Sequence, residues 1–182
     1  LRRQVREEIR EIQQTLGLTV IYVTHDQEEA LAVSDQIVVM RNAAIAQIGT
    51  PRQLYDEPAD SFVADFIGEA NLIACTIEGV TGDVATISVG GYQTKLPARG
   101  LPAGPATIAV RPSRMRVGDA EAGIPATVEK ATYVGSRMEY TLATKAGNVF
   151  AVLDDVDAPL EIGASVGITL AASGPVLLPA RE

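Results

Sequence analysis

The sequence predicts a short α/β segment followed by an all-β barrel. Helical spacing of apolar residues and continuous β-branched runs alternate over residues 1–66, as in α/β proteins. This part contains only two of the 16 glycines, Gly17 and Gly49. From residue 67 onward glycine and proline are dense and separate many short β-prone segments, which is typical of all-β domains. We therefore expect a boundary near residues 68–71 and two domains, 1–68 and 69–182.

The chain begins with a predicted helix and a predicted strand. The helix is indicated by apolar residues three or four positions apart, namely Leu1, Val5, Ile9, Ile12 and Leu16. Gly17 is placed to end it, because glycine readily adopts the left-handed conformation after a last helical turn. The β-branched and aromatic run over residues 19–24 then predicts a strand buried on both faces, as in parallel sheets.

The following elements are predicted from capping residues. Asp26 can cap a helix whose first turn carries the acidic Glu28 and Glu29, which the helix dipole favours. A second buried strand is expected over residues 36–40 and a third strand over 44–48. Thr50 followed by proline predicts a short helix. Asp60 predicts another, with an apolar face formed by Phe62, Val63, Phe66 and Ile67.

About nine short strands are predicted in the second part, which suggests a small barrel of the OB type. They cover residues 71–80, 83–89, 92–96, 107–111, 114–117, 124–134, 138–145, 148–153 and 166–171. Residues 71–89 and 124–142 each read as a long strand followed by a second strand. This similarity suggests two related half-units.

Composition excludes several classes of protein. The net charge of −8 argues against a nucleic-acid partner, because such proteins need a basic surface. One cysteine excludes a disulfide scaffold and a cysteine-type zinc site. No apolar run approaches the roughly 18 residues of a membrane helix, so we expect a soluble intracellular protein. Because Leu1 lies within a helical pattern, we also expect the chain to be part of a longer one.

His25, the single histidine, is the strongest candidate for a functional residue. It follows a predicted buried strand and precedes a helix, which is where open α/β sheets bind ligands. A neutral imidazole at such a position can donate to a phosphate oxygen. The alternative is a structural histidine at a helix start.

The residues around His25 resemble the switch-histidine loop of ATP-binding cassette (ABC) transporter ATPases. The resemblance rests on Val-Thr-His-Asp-Gln-Glu-Glu-Ala over 23–30 and continues through 34–40, 48–58 and 62–68, so that it covers nearly all of 1–72. It implies that His25 contacts the γ-phosphate of ATP and couples hydrolysis to dimer closure. The first domain is then a remnant of a P-loop ATPase.

The chain lacks three motifs of that family. It contains no Gly-x-x-x-x-Gly-Lys-Ser/Thr phosphate loop, no glycine-rich signature motif and no acidic strand for magnesium. In the family these motifs precede the equivalent of Leu1. The resemblance implies ATP and Mg²⁺ as cofactors of a full-length protein, whereas we expect this chain alone to bind neither and to be inactive.

The second part resembles the transport-associated OB (TOBE) domain of import-type ABC ATPases. The resemblance lies in Val-Arg-Pro-Ser-Arg-Met-Arg-Val over 110–117 and Tyr-Val-Gly-Ser-Arg over 133–137. In the family this domain stabilises the ATPase homodimer and receives regulatory proteins or ligands. Arg111, Ser136 and Arg137 are candidates for a regulatory oxyanion site; the alternative is that they are solvated charges and a turn residue at strand ends.

The resemblance also implies partners and a location. It implies a homodimer bound to integral membrane permease subunits, peripheral on the inner face of the bacterial cell membrane, and linked indirectly to an external solute-binding protein. The junction over 68–72 is similar to that of polyamine, iron(III), thiamine and phosphonate importers. This favours spermidine or putrescine as cargo, with iron(III) second. The alternative function is a stand-alone OB-type small-ligand-binding or regulatory module.

Other residues are weaker candidates for a functional role. Cys75 lies within a predicted strand without a basic neighbour in sequence, so we expect a buried, inert thiol. A serine hydrolase using His25 is disfavoured because no Gly-x-Ser-x-Gly motif is present. The acidic run over 154–157 lacks the glycine and distal glutamate of a calcium-binding EF-hand, and we expect a solvated turn.

Overall fold

The computed structural model describes residues 2–171 and 173–181. The chain divides into two compact units, residues 1–68 and 69–182, which are described separately below. Within the described residues, no helix is both long enough and apolar enough to cross a membrane.

The described residues of the first unit form four helices and one two-stranded hairpin. In chain order these are α1 (Arg2–Leu16), α2 (Gln27–Val33), β1 (Ile37–Arg41), β2 (Ala44–Gly49), α3 (Pro51–Asp56) and α4 (Ser61–Phe66). The end of α1 confirms the role of Gly17, which has a φ of 62°. The N–H of Leu18 then donates to the carbonyl of Gln13 at 3.1 Å, a bond that closes the last turn.

The prediction of a buried strand over residues 19–24 is wrong in this structure. Residues 18–24 form neither strand nor helix, and the side chains of Ile21 and Val23 are 89% and 91% exposed. A strand needs the backbone groups of a neighbour, and no strand of the described first unit pairs with this segment. The apolar stripe of α1 is likewise exposed at Val5, Ile9, Ile12 and Leu16, and Leu1 lies outside the described residues.

The core of the first unit lies between the β1–β2 hairpin and the last two helices. It is formed by the buried side chains of Ile37, Val39, Leu54, Val63 and Ile67. The two strands pair antiparallel, and β1 buries only alternate residues. The expected strand over residues 36–40 is therefore present but buried on one face only, because the outer side of this hairpin is exposed. The predicted starts of α3 at Thr50 and α4 at Asp60 are confirmed.

The second unit is all-β. Its strands are β3 (Asn71–Thr81), β4 (Val84–Val89), β5 (Tyr92–Pro97), β6 (Gly104–Val110), β7 (Met115–Gly118), β8 (Ile124–Tyr133), β9 (Met138–Thr144), β10 (Gly147–Leu153), β11 (Ser165–Leu170) and β12 (Val176–Pro179). A short 3-10 turn, Pro112–Arg114, precedes β7. All nine predicted strands are confirmed, and β12 was not predicted. The strands form two antiparallel five-stranded sheets.

The two sheets repeat one topology and exchange a strand. The strand order is β12-β6-β3-β4-β5 in one sheet and β7-β11-β8-β9-β10 in the other. Within each half, four strands therefore follow the same path: β3 to β6 in the first and β8 to β11 in the second. The fifth strand of each half crosses over, since β7 pairs with β11 and β12 pairs with β6. The half-units suggested by the sequence are thus present, and each completes the other.

The two halves also share a local irregularity. The pairing of β3 with β4 shifts register between Ile77 and Gly79. The pairing of β8 with β9 shifts between Val128 and Lys130. Each shift leaves one glutamate unpaired, Glu78 in the first half and Glu129 in the second, which is the arrangement of a β-bulge. Because bulges increase local twist, they help each sheet to curl around a single core to which both sheets contribute.

Asn71 joins the two sheets through its side chain. Its Nδ2 donates to the carbonyl of Phe150 at 2.7 Å, and its Oδ1 accepts from the N–H of the same residue at 2.7 Å. Phe150 belongs to β10, the outer strand of its sheet. A side-chain amide here makes the two hydrogen bonds that a neighbouring peptide group would make in a ladder.

Gly167 allows the connection between β7 and β8 to pass close to β11. A Cβ atom on Gly167 would lie 1.7 Å from the carbonyl oxygen of Ala122 and 2.3 Å from that of Asp119. The backbone of residues 119–122 therefore fits only against a residue without a side chain. Gly118 lies directly opposite Gly167 on β7, and a Cβ there would meet nothing within 4 Å.

We predict that Gly167→Ala destabilises the β-rich unit by about 3 kcal/mol or more, because backbone atoms must move to admit the methyl group. Gly118→Ala, the control on the paired strand, should change stability by less than about 0.5 kcal/mol. Urea unfolding followed by circular dichroism of the β signal measures both. Equal midpoints for the two variants would contradict the close approach, whereas failure of Gly167→Ala alone to fold would agree with it.

Candidate functional site

The candidate site is the loop between residues 18–24 and α2. The helix begins as the sequence predicts: Asp26 lies at the N-cap with extended backbone, and its Oδ1 accepts from the N–H of Glu29 at 3.1 Å. The carbonyl of Asp26 accepts from Ala30 at 3.1 Å, which starts the helical pattern. His25 directly precedes this cap. Its backbone is therefore held at the entrance to the helix.

Thr24 extends the cap in an unusual way. Its Oγ1 accepts from the N–H of Asp26 at 2.9 Å and donates to Oε2 of Glu29 at 3.0 Å. In a direct capping box the third helical residue bonds the N–H of the cap itself. This happens at α3, where Gln53 accepts from the N–H of Thr50 at 2.9 Å. At α2 the hydroxyl of Thr24 lies between the N–H of the cap residue, Asp26, and the carboxylate of the third helical residue, Glu29.

Tyr22 binds the same carboxylate from the extended segment. Its hydroxyl donates to Oε2 of Glu29 at 3.0 Å. This hydrogen bond is the main reason that the pKa of Tyr22 is raised above its ordinary value, and the negative charge of Glu29 adds to the effect. The neutral phenol can donate to the carboxylate, whereas a phenolate would repel it. The carboxylate of Glu29 thus binds two residues that precede His25, and the backbone N–H of Glu29 binds Asp26, which follows it.

His25 is exposed and lies on the wall of a groove of about 790 Å³ within the first unit. Thr24, Asp26 and the apolar side chains of residues 20–23 also line this groove. The four hydrogen bonds of the loop join Tyr22, Thr24, Asp26 and Glu29 to one another, and none of the four involves the imidazole of His25. An imidazole placed in this way can exchange hydrogen bonds with a ligand that enters the groove.

Side-chain contacts at each end hold α2 in place within the first unit. Arg10 of α1 donates to the carbonyl of Val33 at 2.9 Å and forms an ion pair with Asp35 at 3.3 Å. At the other end of the helix, Oε1 of Gln27 accepts from the N–H of Gly68. The helix that follows His25 is therefore fixed at both ends.

The candidate regulatory residues lie at strand ends and in a turn of the β-rich unit. Arg111 is 4% exposed and follows β6, where its carbonyl accepts from the N–H of Arg114 at 2.8 Å. Ser136 is exposed in the β8–β9 turn, and Arg137 pairs with Glu139 at 3.0 Å. A shared oxyanion site for Arg111, Ser136 and Arg137 stays a prediction.

The acidic run forms a turn. Oδ1 of Asp155 accepts from the N–H groups of Asp157 and Ala158 at 3.1 and 3.4 Å. This is the local pattern of an aspartate-stabilised turn, as the sequence predicts. Among the described residues, no three histidine, cysteine, aspartate or glutamate side chains come together as a metal site would require.

Sequence reasoning missed Tyr22, Thr24 and Glu29 as members of the site. It assigned Glu29 only to the first helical turn, where the dipole favours acidic residues. A signal was present, because aspartate followed three residues later by glutamate is the spacing of a capping box. The insertion of a threonine hydroxyl into that box depends on the path of the chain before the helix, which the spacing does not specify.

Comparison with known proteins shows which family the β-rich unit is similar to. Residues 108–178 match the family model of the TOBE domain. This match and the strand topology support the predicted OB-type domain. Among solved structures, the cytoplasmic molybdate-binding protein ModG is similar over 61% of this chain and 96% of its own, with a TM-score of 0.47 and 18% identity.

Three relatives extend the similarity to the first unit. The Fe(3+) ions import ATP-binding protein FbpC of Rhizobium etli is 52% identical over 153 residues, 84% of this chain and 43% of its own length. FbpC 1 of Rhizobium meliloti is 46% identical over 179 residues, 98% of this chain and 51% of its own. The spermidine/putrescine import ATP-binding protein PotA of Ruegeria pomeroyi is 41% identical over 152 residues, which are 82% of this chain and 42% of its own length.

These relatives confirm the resemblance to ATP-binding subunits of ABC importers. The chain spans about half the length of the relatives it matches.

Cys75 provides a test of the β-rich core. It lies on β3, where burial raises the pKa of the thiol to about 11. We predict that the folded chain reacts more slowly with a thiol-specific disulfide reagent at pH 8 than the urea-unfolded chain, by about 100-fold or more, because the reagent needs an accessible thiolate. A free-cysteine peptide serves as the control. Rapid reaction of the folded chain at the peptide rate would contradict the burial of Cys75.

Proposed function

We propose that this chain forms the carboxy-terminal half of the ATP-binding subunit of an ABC importer. In the complete protein, hydrolysis of ATP would drive uptake of a solute. The similarity to FbpC 1 of Rhizobium meliloti over 98% of this chain is the observation that carries the proposal. It includes the loop around His25 as well as the β-rich unit.

His25 is proposed to contact the γ-phosphate of ATP. The structure supports this role by leaving the imidazole exposed on the groove while its neighbours fix the backbone on both sides. Phosphoryl transfer needs donors that are positioned before charge develops on the phosphate oxygens. ATP and Mg²⁺ would be bound by a phosphate loop and an acidic strand that this sequence does not contain. We therefore expect no hydrolysis by this chain alone.

The proposed partners follow from the same assignment. The complete subunit would form a homodimer, with the β-rich unit as the dimerising and regulatory domain. It would bind permease subunits from the inner face of the cell membrane, and the permease would receive solute from an external binding protein. The net charge of −8 agrees with a protein partner rather than a nucleic acid.

Iron(III) is the proposed cargo, with a polyamine as the second choice. The two FbpC relatives, at 52% and 46% identity, exceed the 41% of PotA. This order is the reverse of the expectation from the junction over residues 68–72. Specificity is best tested on the external binding protein encoded beside this subunit. Calorimetry with Fe³⁺ chelates and with spermidine would show which one binds, and binding of spermidine alone would overturn the choice of iron.

We predict that His25→Ala lowers ATP turnover by about 100-fold in a hybrid in which this chain replaces the matching segment of the Rhizobium etli FbpC. Loss of one positioned donor to the phosphate has an effect of that order. Binding of a fluorescent ATP analogue should be nearly unchanged, because one late contact contributes little to it. Arg52→Ala, on an exposed side chain of α3, is the control and should keep full turnover.

The two outcomes of this experiment are distinct. A hybrid that hydrolyses ATP and is unaffected by His25→Ala would remove His25 from the mechanism. A folded hybrid without ATPase activity, although the unmodified relative is active, would contradict the proposed function itself.

A further inference from the structure

We propose that Glu29 is the residue that positions His25: its carboxylate binds Tyr22 and Thr24 before His25, and its backbone N–H binds Asp26 after it. This inference rests on the function proposed for His25. Oε2 of Glu29 accepts from Thr24 and from Tyr22, each at 3.0 Å. One carboxylate oxygen therefore connects the extended segment, the residue before His25 and the first turn of α2.

The hydrogen bonds around His25 form a closed ring. Thr24 donates to Glu29, the N–H of Asp26 donates to Thr24, and the N–H of Glu29 donates to Asp26. The ring includes the residues before and after His25. Rotation of the His25 backbone would have to break at least one of these contacts. The imidazole can consequently change its rotamer, whereas its point of attachment is fixed.

This role goes beyond capping of the helix. At α3 the glutamine in the same helical position bonds the N–H of the cap directly, and a neutral amide suffices. At α2 the N–H of Asp26 is already satisfied by Thr24. The carboxylate of Glu29 is thus free to accept two hydroxyl groups, and an ionised acceptor makes stronger hydrogen bonds than a neutral one.

The first experiment measures the loop in this chain without nucleotide. Since the chain has one histidine, its Cε1–H group gives a single nuclear magnetic resonance signal. We expect Glu29→Ala to increase the mobility of this signal, measured by relaxation. Glu29→Gln keeps an acceptor oxygen and should largely preserve the ordered signal. Glu28→Ala removes the same charge from the same helical turn and is the matched control.

Tyrosine titration provides a second measurement on the same variants. The pKa of Tyr22 is raised mainly by its hydrogen bond to Glu29, and the charge of Glu29 adds to this, so Glu29→Ala should lower it, Glu29→Gln should lower it less, and Glu28→Ala should leave it unchanged. The contribution of Tyr22 is isolated by subtracting the ultraviolet titration of Tyr22→Phe. The two measurements therefore separate loss of the charge from loss of the acceptor.

The second experiment uses the hybrid ATPase described above. Glu29→Ala should lower kcat by about tenfold or more with little change in the KM for ATP, because a misplaced group acts on the transition state rather than on nucleotide binding. Glu29→Gln should restore most of the lost kcat, and Glu28→Ala should leave it unchanged. The double variant His25→Ala/Glu29→Ala should be no slower than His25→Ala, since Glu29 acts through His25.

The outcomes separate this inference from the proposed function. If His25→Ala slows the hybrid but Glu29→Ala does not, the positioning role is overturned and the function stands. An unchanged His25 signal in Glu29→Ala would overturn the positioning role without reference to ATP. If His25→Ala has no effect on an active hybrid, the role of His25 fails, and with it the action of Glu29 on turnover.

Discussion

The exchange of strands between its two sheets is the constraint on which the β-rich unit depends. Each half supplies four consecutive strands to its own sheet and sends its fifth strand to the other. Neither sheet is complete without the opposite half, because β7 pairs with the edge of β11 and β12 pairs with the edge of β6. The close approach at Gly167 follows from this exchange, since the chain must return from β7 to begin β8 beside the same strand. The unit therefore has one core and not two.

The strands of this unit could be predicted from sequence, whereas their arrangement could not. Alternation of buried residues in β3, as at Ile73, Cys75 and Ile77, follows from the two-residue repeat of a strand and is visible in the sequence. The four residues of β12 were missed because the strand is short and ends at Pro179, and proline reads as a break. The exchange itself depends on pairing between strands far apart in the chain, which local patterns do not encode.

In the first unit the helix starts could be predicted from sequence, whereas the burial of side chains could not. Capping residues predicted the starts of α2, α3 and α4, because a cap acts within one helical turn. Burial was predicted less well: residues 19–24 have the composition of an inner strand, but burial needs neighbours that the composition does not provide. At the candidate site the same distinction holds. His25 and Asp26 were found from local pattern, whereas the bonds of Glu29 to Thr24 and Tyr22 depend on how the preceding segment approaches the helix.

The side chain of Asn71 has a consequence for association between molecules. The free edge of an outer strand is a template on which another chain can add a strand. At Phe150 both backbone groups are already bonded to the Asn71 amide. An incoming strand would have to displace these two bonds before it could extend the sheet at this point. A single amide thus helps to block edge-to-edge aggregation along β10 while its residue belongs to the opposite sheet.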